Sequence, residues 1–211
     1  MIRLLLADDH VLVREGLKQL FALTADLHVA AEASNGAQVL DLLRQERFSI
    51  LLLDITMPGI SGPDLIERIR ISDNPPPILV LSMHNEPQIA RRALRAGAAG
   101  YLTKDSCPET LLAAVRKVAA GGRFLAPSLA EALAFEASSS SASNTSHEQL
   151  SDREFQIFVL LARGAGVNEI AKQLVISNKT VSTHKARLME KMGFASNADL
   201  VRYAVTQGLV E

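Results

Sequence analysis

The chain has 211 residues, is 48% hydrophobic and carries a formal net charge of -1. That length allows one or two domains of ~100–200 residues, and near-neutrality excludes a partner chosen by bulk charge, so any electrostatic signal must be local. The single cysteine, Cys107, excludes an internal disulfide framework, and the apolar run after Met1 is too short for a signal-peptide core or a membrane span, so we expect a cytoplasmic protein.

Ile2 to Ala7 reads as a first strand, with Asp8, Asp9 and His10 at its end. Val13, Leu17, Leu20 and Phe21 place a helix over Val11 to Ala22. His28 to Ala33 is a second strand, and Ser34-Asn35-Gly36 a turn. Val39, Leu40, Leu42 and Leu43 make the next helix amphipathic. Ile50-Leu51-Leu52-Leu53-Asp54 is a short strand buried on both faces that ends in a carboxylate. Pro63 to Ile71 is a helix, closed by Pro75 to Pro77. Ile78 to Leu81 is a strand ending at Ser82; Pro87 to Ala96 is a helix stopped by Gly97. Gly100 to Thr103 is a fifth strand ending at Lys104, and Pro108 opens a fifth helix to about Ala120. Strands alternating with helices over short crossovers predict a doubly wound parallel sheet in the flavodoxin-like order.

In such a sheet the carboxyl ends of the strands gather where ligands bind. They carry Asp8, Asp9, Asp54, Ser82 and Lys104. Three carboxylates packed together repel one another, and a hard divalent cation, Mg2+ above all, removes the conflict. An ionised Asp54 is then a nucleophile toward a phosphoryl group, with Lys104 as a second positive charge and Ser82 as a hydrogen-bond donor to a phosphoryl oxygen. Read singly, Asp8-Asp9 is also a helix cap, Lys104 a surface lysine and Ser82 a cap; the signal lies in their joint order along the strand ends.

At these residues the stretch from Ile2 to Ala120 resembles the receiver domain of two-component response regulators. The resemblance implies Asp54 as phosphoacceptor. It implies Asp9 as a direct Mg2+ ligand, Asp8 as one acting through water, and the Thr56 backbone carbonyl as a third protein ligand. Ser82 would be the switch hydroxyl, Lys104 the phosphate-contacting lysine, and Tyr101 the aromatic ring that follows the switch. Thr56 and His84, two positions beyond Asp54 and Ser82, would tune the lifetime of the phosphoryl group.

Gly121-Gly122 closes the first domain, 1–121. Residues 122–146 read as a flexible linker that opens with a short helix near Ser128 to Phe135 and continues into Ala137 to Ser146, which is Ser-rich and cannot bury a core. Residues 147–211 form a second domain. Ser151 and Glu154 make a capping-box pattern ahead of Phe155, Phe158, Val159, Leu161 and Ala162. Gly164 and Gly166 break that helix, Asn168 to Leu174 is the next, and a tight turn leads to a third, capped by Ser177 or Asn178 and running to Met192. Ser196 caps a fourth, Asn197 to Gln207.

Two short helices joined by a tight turn are a helix-turn-helix unit. At 100° per residue Val181, Leu188 and Met192 face the core of this all-α four-helix domain, with Lys179, Thr183, Ala186 and Glu190 opposite and Ser182 and Arg187 flanking. Lys179, Lys185, Lys191 and Arg187 against Glu190 give the helix a local charge of +3, an electrostatic footprint for phosphates. Leu150-Ser151-Asp152-Arg153-Glu154, Glu169-Ile170-Ala171, Ile176-Ser177 and Thr180-Val181-Ser182-Thr183-His184 resemble the LuxR-type DNA-binding domain. With the receiver in front, the chain resembles a NarL/FixJ-family transcriptional regulator. Gly166-Val167-Asn168 departs from the family's frequent Ser-Asn-Lys, and Ser182 and Ala186 are uncharged where the family often reads bases.

The expected function is therefore a DNA-binding response regulator, phosphorylated at Asp54 by a sensor histidine kinase and binding double-stranded promoter DNA as a homodimer. The candidate DNA contacts are Lys179, Thr180, Ser182, Thr183, His184, Lys185 and Arg187. In the family the last helix commonly makes the dimer, so Leu200, Val201 and Ala204 are candidates for that interface and equally for the bundle core. Two alternatives are a regulator whose acid site is idle and a phosphatase with an aspartyl nucleophile. The phosphatase needs a second acid two residues past the nucleophile, where this chain has Thr56, so a dedicated enzyme is not expected.

Overall fold

A computed structural model describes residues 1–83, 87–139, 147, 150–174 and 176–210. The chain divides into two compact units, Met1–Glu136 and Ala137–Glu211. The first contains β1 (Ile2–Ala7), α1 (Val11–Ala22), β2 (Leu27–Ala33), α2 (Gly36–Gln45), β3 (Ile50–Asp54), α3 (Gly62–Arg70), β4 (Ile78–Ser82), α4 (Pro87–Ala96), β5 (Gly100–Thr103), α5 (Pro108–Ala119) and β6 (Phe124–Leu125), and most of α6 (Pro127–Ser139).

The six strands are all parallel, in the order β2-β1-β3-β4-β5-β6. The chain reverses direction across the sheet between β1 and β3, which places a crevice beyond their carboxyl ends. Asp8 follows one of these strands and Asp54 closes the other. Ile50, Leu51, Leu52 and Leu53 are all fully buried, as a central parallel strand requires. Leu4, Leu6, Ile50, Leu52, Leu79 and Leu81 form one face of the core, against Phe21 of α1 and Leu111, Val115 and Val118 of α5. At ~1.5–3 kcal/mol per buried aliphatic side chain, this face holds the strand ends in register.

The stretch expected to begin a linker holds more structure than the sequence suggests. Phe124 and Leu125 pair with Gly100 and Tyr101 as a sixth strand. Two residues are too few to show a periodicity. What admits them is Gly100, where a Cβ would stand 2.8 Å from the Phe124 carbonyl oxygen. The Ser-rich residues 140–146 lie outside the described residues.

A second glycine positions the loop after Asp54. A Cβ on Gly36, at the start of α2, would lie 2.0 Å from the Ile60 carbonyl oxygen, far inside any non-bonded contact. Gly36→Ala must therefore push away the segment that joins Asp54 to α3. We expect a loss of about 1–3 kcal/mol in urea unfolding. A variant as stable as the parent would show that this loop yields freely.

The second unit contains α7 (Asp152–Ala162), α8 (Val167–Gln173), α9 (Asn178–Met192) and α10 (Asn197–Thr206). Its helices start where their side chains can cap them. Ser151 Oγ accepts from the Glu154 N–H at 3.4 Å, and Glu154 Oε2 accepts from the Ser151 N–H at 2.8 Å. Ser177 and Ser196 cap α9 and α10 in the same way, accepting from Thr180 and Asp199. Gly193 ends α9 in the left-handed conformation, with φ 66°. Phe155, Phe158, Ile170, Val181, Leu188, Leu200 and Ala204 are buried between the four helices. Asn178 Nδ2 donates to Asn168 Oδ1 at 2.7 Å and ties the first turns of α8 and α9 together.

Candidate functional site

The expected strand-end residues converge. Asp8 and Asp54 are each only 1% exposed. Between them stands Lys104, whose Nζ lies 2.6 Å from Asp8 Oδ2 and donates to Asp54 Oδ2 at 2.9 Å. The other oxygen of Asp54 accepts from the Thr56 N–H at 3.1 Å and the Thr56 hydroxyl at 2.9 Å. Burial alone would lower the Lys104 pKa, but the charges and hydrogen bonds of Asp54 and Asp8 outweigh it and hold it above the ordinary lysine value. Asp9 stands at the rim, half-buried. Its pKa is raised by burial and by the negative charges of Asp54 and Asp8, with His10 opposing them.

One ligand atom from each of Asp8, Asp9, His10 and Asp54 lies within 4.8 Å of the others. Oxygen atoms crowded in this way match the preference of a small hard cation. The sequence did not single out His10 or Arg14 for this site. Arg14 Nη1 donates to the Asp8 backbone carbonyl at 2.6 Å and its Nε donates to Glu32 at 3.2 Å, fixing the turn after β1. The contacts span 6 and 18 residues, and no local pattern announces either.

Ser82 and Tyr101 are fully buried side by side, and Ser82 is hydrogen-bonded to the Tyr101 hydroxyl. Burial pushes the Tyr101 phenol up to about 12, with Ser82 pulling the other way and the Asp54 charge adding to the rise. The folded state then keeps its proton where an unfolded tyrosine, titrating near ~10, loses it. The resulting stability is fully present below pH ~10 and is lost as pH rises toward 12, a loss on the order of 3 kcal/mol at most. Urea melts across pH 9 to ~12 should show that decline, and Tyr101→Phe should lessen it. His84 lies outside the described residues.

On α9 the expected DNA-facing residues separate into two groups. Lys179, Ser182, Thr183 and Arg187 are exposed, while Thr180, His184 and Lys185 are half-buried. The Thr180 hydroxyl pairs with Ser177 at 2.8 Å, within the helix cap. The Thr183 hydroxyl donates to the Lys179 carbonyl at 2.9 Å. His184 has its pKa lowered by burial and by Arg153 and Arg187, with Glu154 opposing. Lys191 belongs to the scaffold: its Nζ donates to the buried Glu154 carboxylate at 2.6 Å. The sequence count of +3 includes Lys191, so the outward charge is carried by Lys179, Lys185 and Arg187. On α10, Leu200 and Ala204 are buried in the bundle, while Val201 and Val205 are exposed.

The family model for the response regulator receiver domain matches residues 4–116, and that for bacterial regulatory proteins of the luxR family matches residues 148–204. The chain belongs to the NarL/FixJ family of response regulators. The regulator is 34% identical over 209 residues to response regulator UvrY of Escherichia coli K12, spanning 99% of this chain and 96% of UvrY. It is 39% identical over 202 residues to the transcriptional regulatory protein UhpA of the same strain, spanning 96% of this chain and 97% of UhpA. Among solved structures it resembles RcsB of Salmonella typhimurium, with a TM-score of 0.61 and 27% identity over 97% of this chain and 98% of that one. RcsB of Salmonella enterica serovar Typhimurium, bound to promoter P1flhDC in the presence of phosphomimetic BeF3-, matches with a TM-score of 0.61 and 28% identity over 96% of this chain and 97% of that one.

The regulator thus joins a receiver domain to a LuxR-type DNA-binding domain and is a transcription regulator. Receiver domains generally bind Mg2+ at an acidic pocket, and Asp8, Asp9 and Asp54 form such a cluster here. Among the described residues no helix is long and apolar enough to cross a membrane.

Proposed function

We propose that Asp54 accepts a phosphoryl group from a sensor histidine kinase and that this modification controls binding of the regulator, as a homodimer, to promoter DNA. The observation that carries the proposal is Lys104 seated between two buried carboxylates, Asp8 and Asp54. A lysine held charged among acids at a sheet crevice is placed for an incoming anion.

An oxygen of Asp54 attacks the phosphorus of the kinase phosphohistidine; the O–P bond forms, the P–N bond breaks and the imidazole leaves with the electron pair. Asp8, Asp9, Asp54 and the Thr56 carbonyl would hold Mg2+, which supplies neutralising charge for the phosphoryl oxygens when bound. Lys104 passes from Asp54 Oδ2 to an oxygen of the transferred group. The Ser82 hydroxyl turns to another oxygen, and Tyr101, already packed inward on Ser82, adjusts with it. Thr56 and His84 set how readily water reaches the acyl phosphate. No turnover beyond slow loss of that phosphate is assigned to the chain, and a cytoplasmic location suits all of these partners.

In this reading 1–121 is the receiver, 147–211 the DNA-binding part, and the segment between them the connection, with its Ser-rich portion as the tether. Val201 and Val205 on α10 are the residues proposed for contact between DNA-binding domains, since Leu200 and Ala204 are already taken up by the core. Two linked half-site contacts raise affinity through effective concentration. The deciding experiment treats the native chain and Asp54→Ala with acetyl phosphate and Mg2+, then selects bound DNA from a random library. We expect covalent phosphate, dimerisation and enriched DNA only with Asp54 present. Equal dimerisation and DNA selection by Asp54→Ala would transfer the assignment to a regulator that works without phosphorylation.

A further inference from the structure

His10 has no part in the chemistry above. It occupies the N-cap position of α1, yet its side chain makes no capping hydrogen bond. Its ring turns instead to the acid cluster, with Nδ1 3.3 Å from Asp8 Oδ1 and 2.9 Å from Asp9 Oδ1. The backbone N–H of His10 donates to Asp8 Oδ1 at 2.8 Å and fixes the root of the side chain. The shorter of the ring contacts is not a hydrogen bond: Asp9 Oδ1 is buried and accepts none. The longer contact, to Asp8 Oδ1, is a hydrogen bond. One ligand atom from each of His10, Asp8, Asp9 and Asp54 lies within 4.8 Å of the other three, close enough to share one ion.

Oxygen ligands alone favour a hard cation such as Mg2+, which binds imidazole poorly. A neutral imidazole nitrogen with carboxylate oxygens is the donor set of Zn2+ and its neighbours among the divalent transition metals. We propose that His10 makes the Mg2+ site of this receiver a mixed nitrogen–oxygen site that also takes Zn2+, in competition with Mg2+. The inference rests on the acid cluster being the receiver's cation site.

The test titrates the full chain with Zn2+ and with Mg2+ by calorimetry, and follows the imidazole 15N resonances. We expect Zn2+ to move the His10 Nδ1 resonance, Mg2+ alone to leave it in place, and excess Mg2+ to reverse the Zn2+ effect. His10→Ala and His10→Gln should each weaken Zn2+ binding by roughly tenfold or more, with Mg2+ affinity changed by less than about threefold. Zn2+ affinity unchanged in both variants, or Zn2+ bound with the His10 ring unmoved, would assign the ion to other histidines and overturn the inference. Equal losses for the two ions would also overturn it, because His10 would then only orient Asp9. Labelling of Asp54 by acetyl phosphate in Mg2+ is measured alongside. Labelling intact without a His10-dependent Zn2+ preference removes this inference and leaves the proposed function, and the reverse outcome removes the proposed function alone.

Discussion

Lys104→Ala should be among the most damaging single substitutions in the receiver. It leaves Asp8 and Asp54, both buried, facing each other with no cation between them. Removing one partner from a buried ion pair typically costs about 3–5 kcal/mol, because the remaining charge cannot be solvated. We expect that loss in urea unfolding at neutral pH with chelator present. Mg2+ should restore much of it, since a divalent ion replaces the missing charge. Adding Asp54→Asn to Lys104→Ala should restore part of the stability without Mg2+, because buried Asp8 then faces a neutral amide in place of a second buried charge. Phosphoryl uptake, in contrast, should stay low in Lys104→Ala even at saturating Mg2+. A Lys104→Ala chain as stable as its parent in chelator would show that the lysine is incidental to the acids around it.

The second large effect concerns α9. Replacing Lys179, Lys185 and Arg187 together by alanine should weaken DNA binding on the order of a hundredfold at physiological salt. The slope of log affinity against log salt should fall by about one for each cation that touches a phosphate, so by about three per protomer. Lys191→Ala supplies the contrast. Its ammonium is bound to Glu154, so its removal should lower the stability of the second unit and leave the salt slope unchanged. A slope that falls as much for Lys191→Ala as for each outward cation would mean that the Glu154 pair opens on DNA.

Much of this arrangement was open to sequence reasoning because it depends on local order. Ile50 to Asp54 announces a buried strand ending in an acid, and the structure has a strand over those five residues. The capping box at Ser151 and Glu154 marks the start of α7 directly. What sequence could not disclose is pairing over distance. Glu154 and Lys191 are 37 residues apart, and Lys191 looked like one more cation of a basic helix. His184 sits at the edge between two helical faces, where angle alone does not say whether α7 or solvent receives it. β6 escaped notice because two residues show no period, and its place is made by the absent side chain of Gly100. His10 looked like a bystander to the Asp8-Asp9 pair, since only the fold bends its ring back over them.

The short strand β6 bears on where this protein can be cut. It shields the outer rim of β5, the strand whose end delivers Lys104. A receiver shortened to Gly121 would present a row of unmatched amides and carbonyls along that rim, an open invitation to zip onto another chain. Such a fragment should self-associate through its flank and mimic a dimer without any signal having arrived. Trimming beyond Leu125 instead would keep the pairing of β6 with β5 and the rim covered.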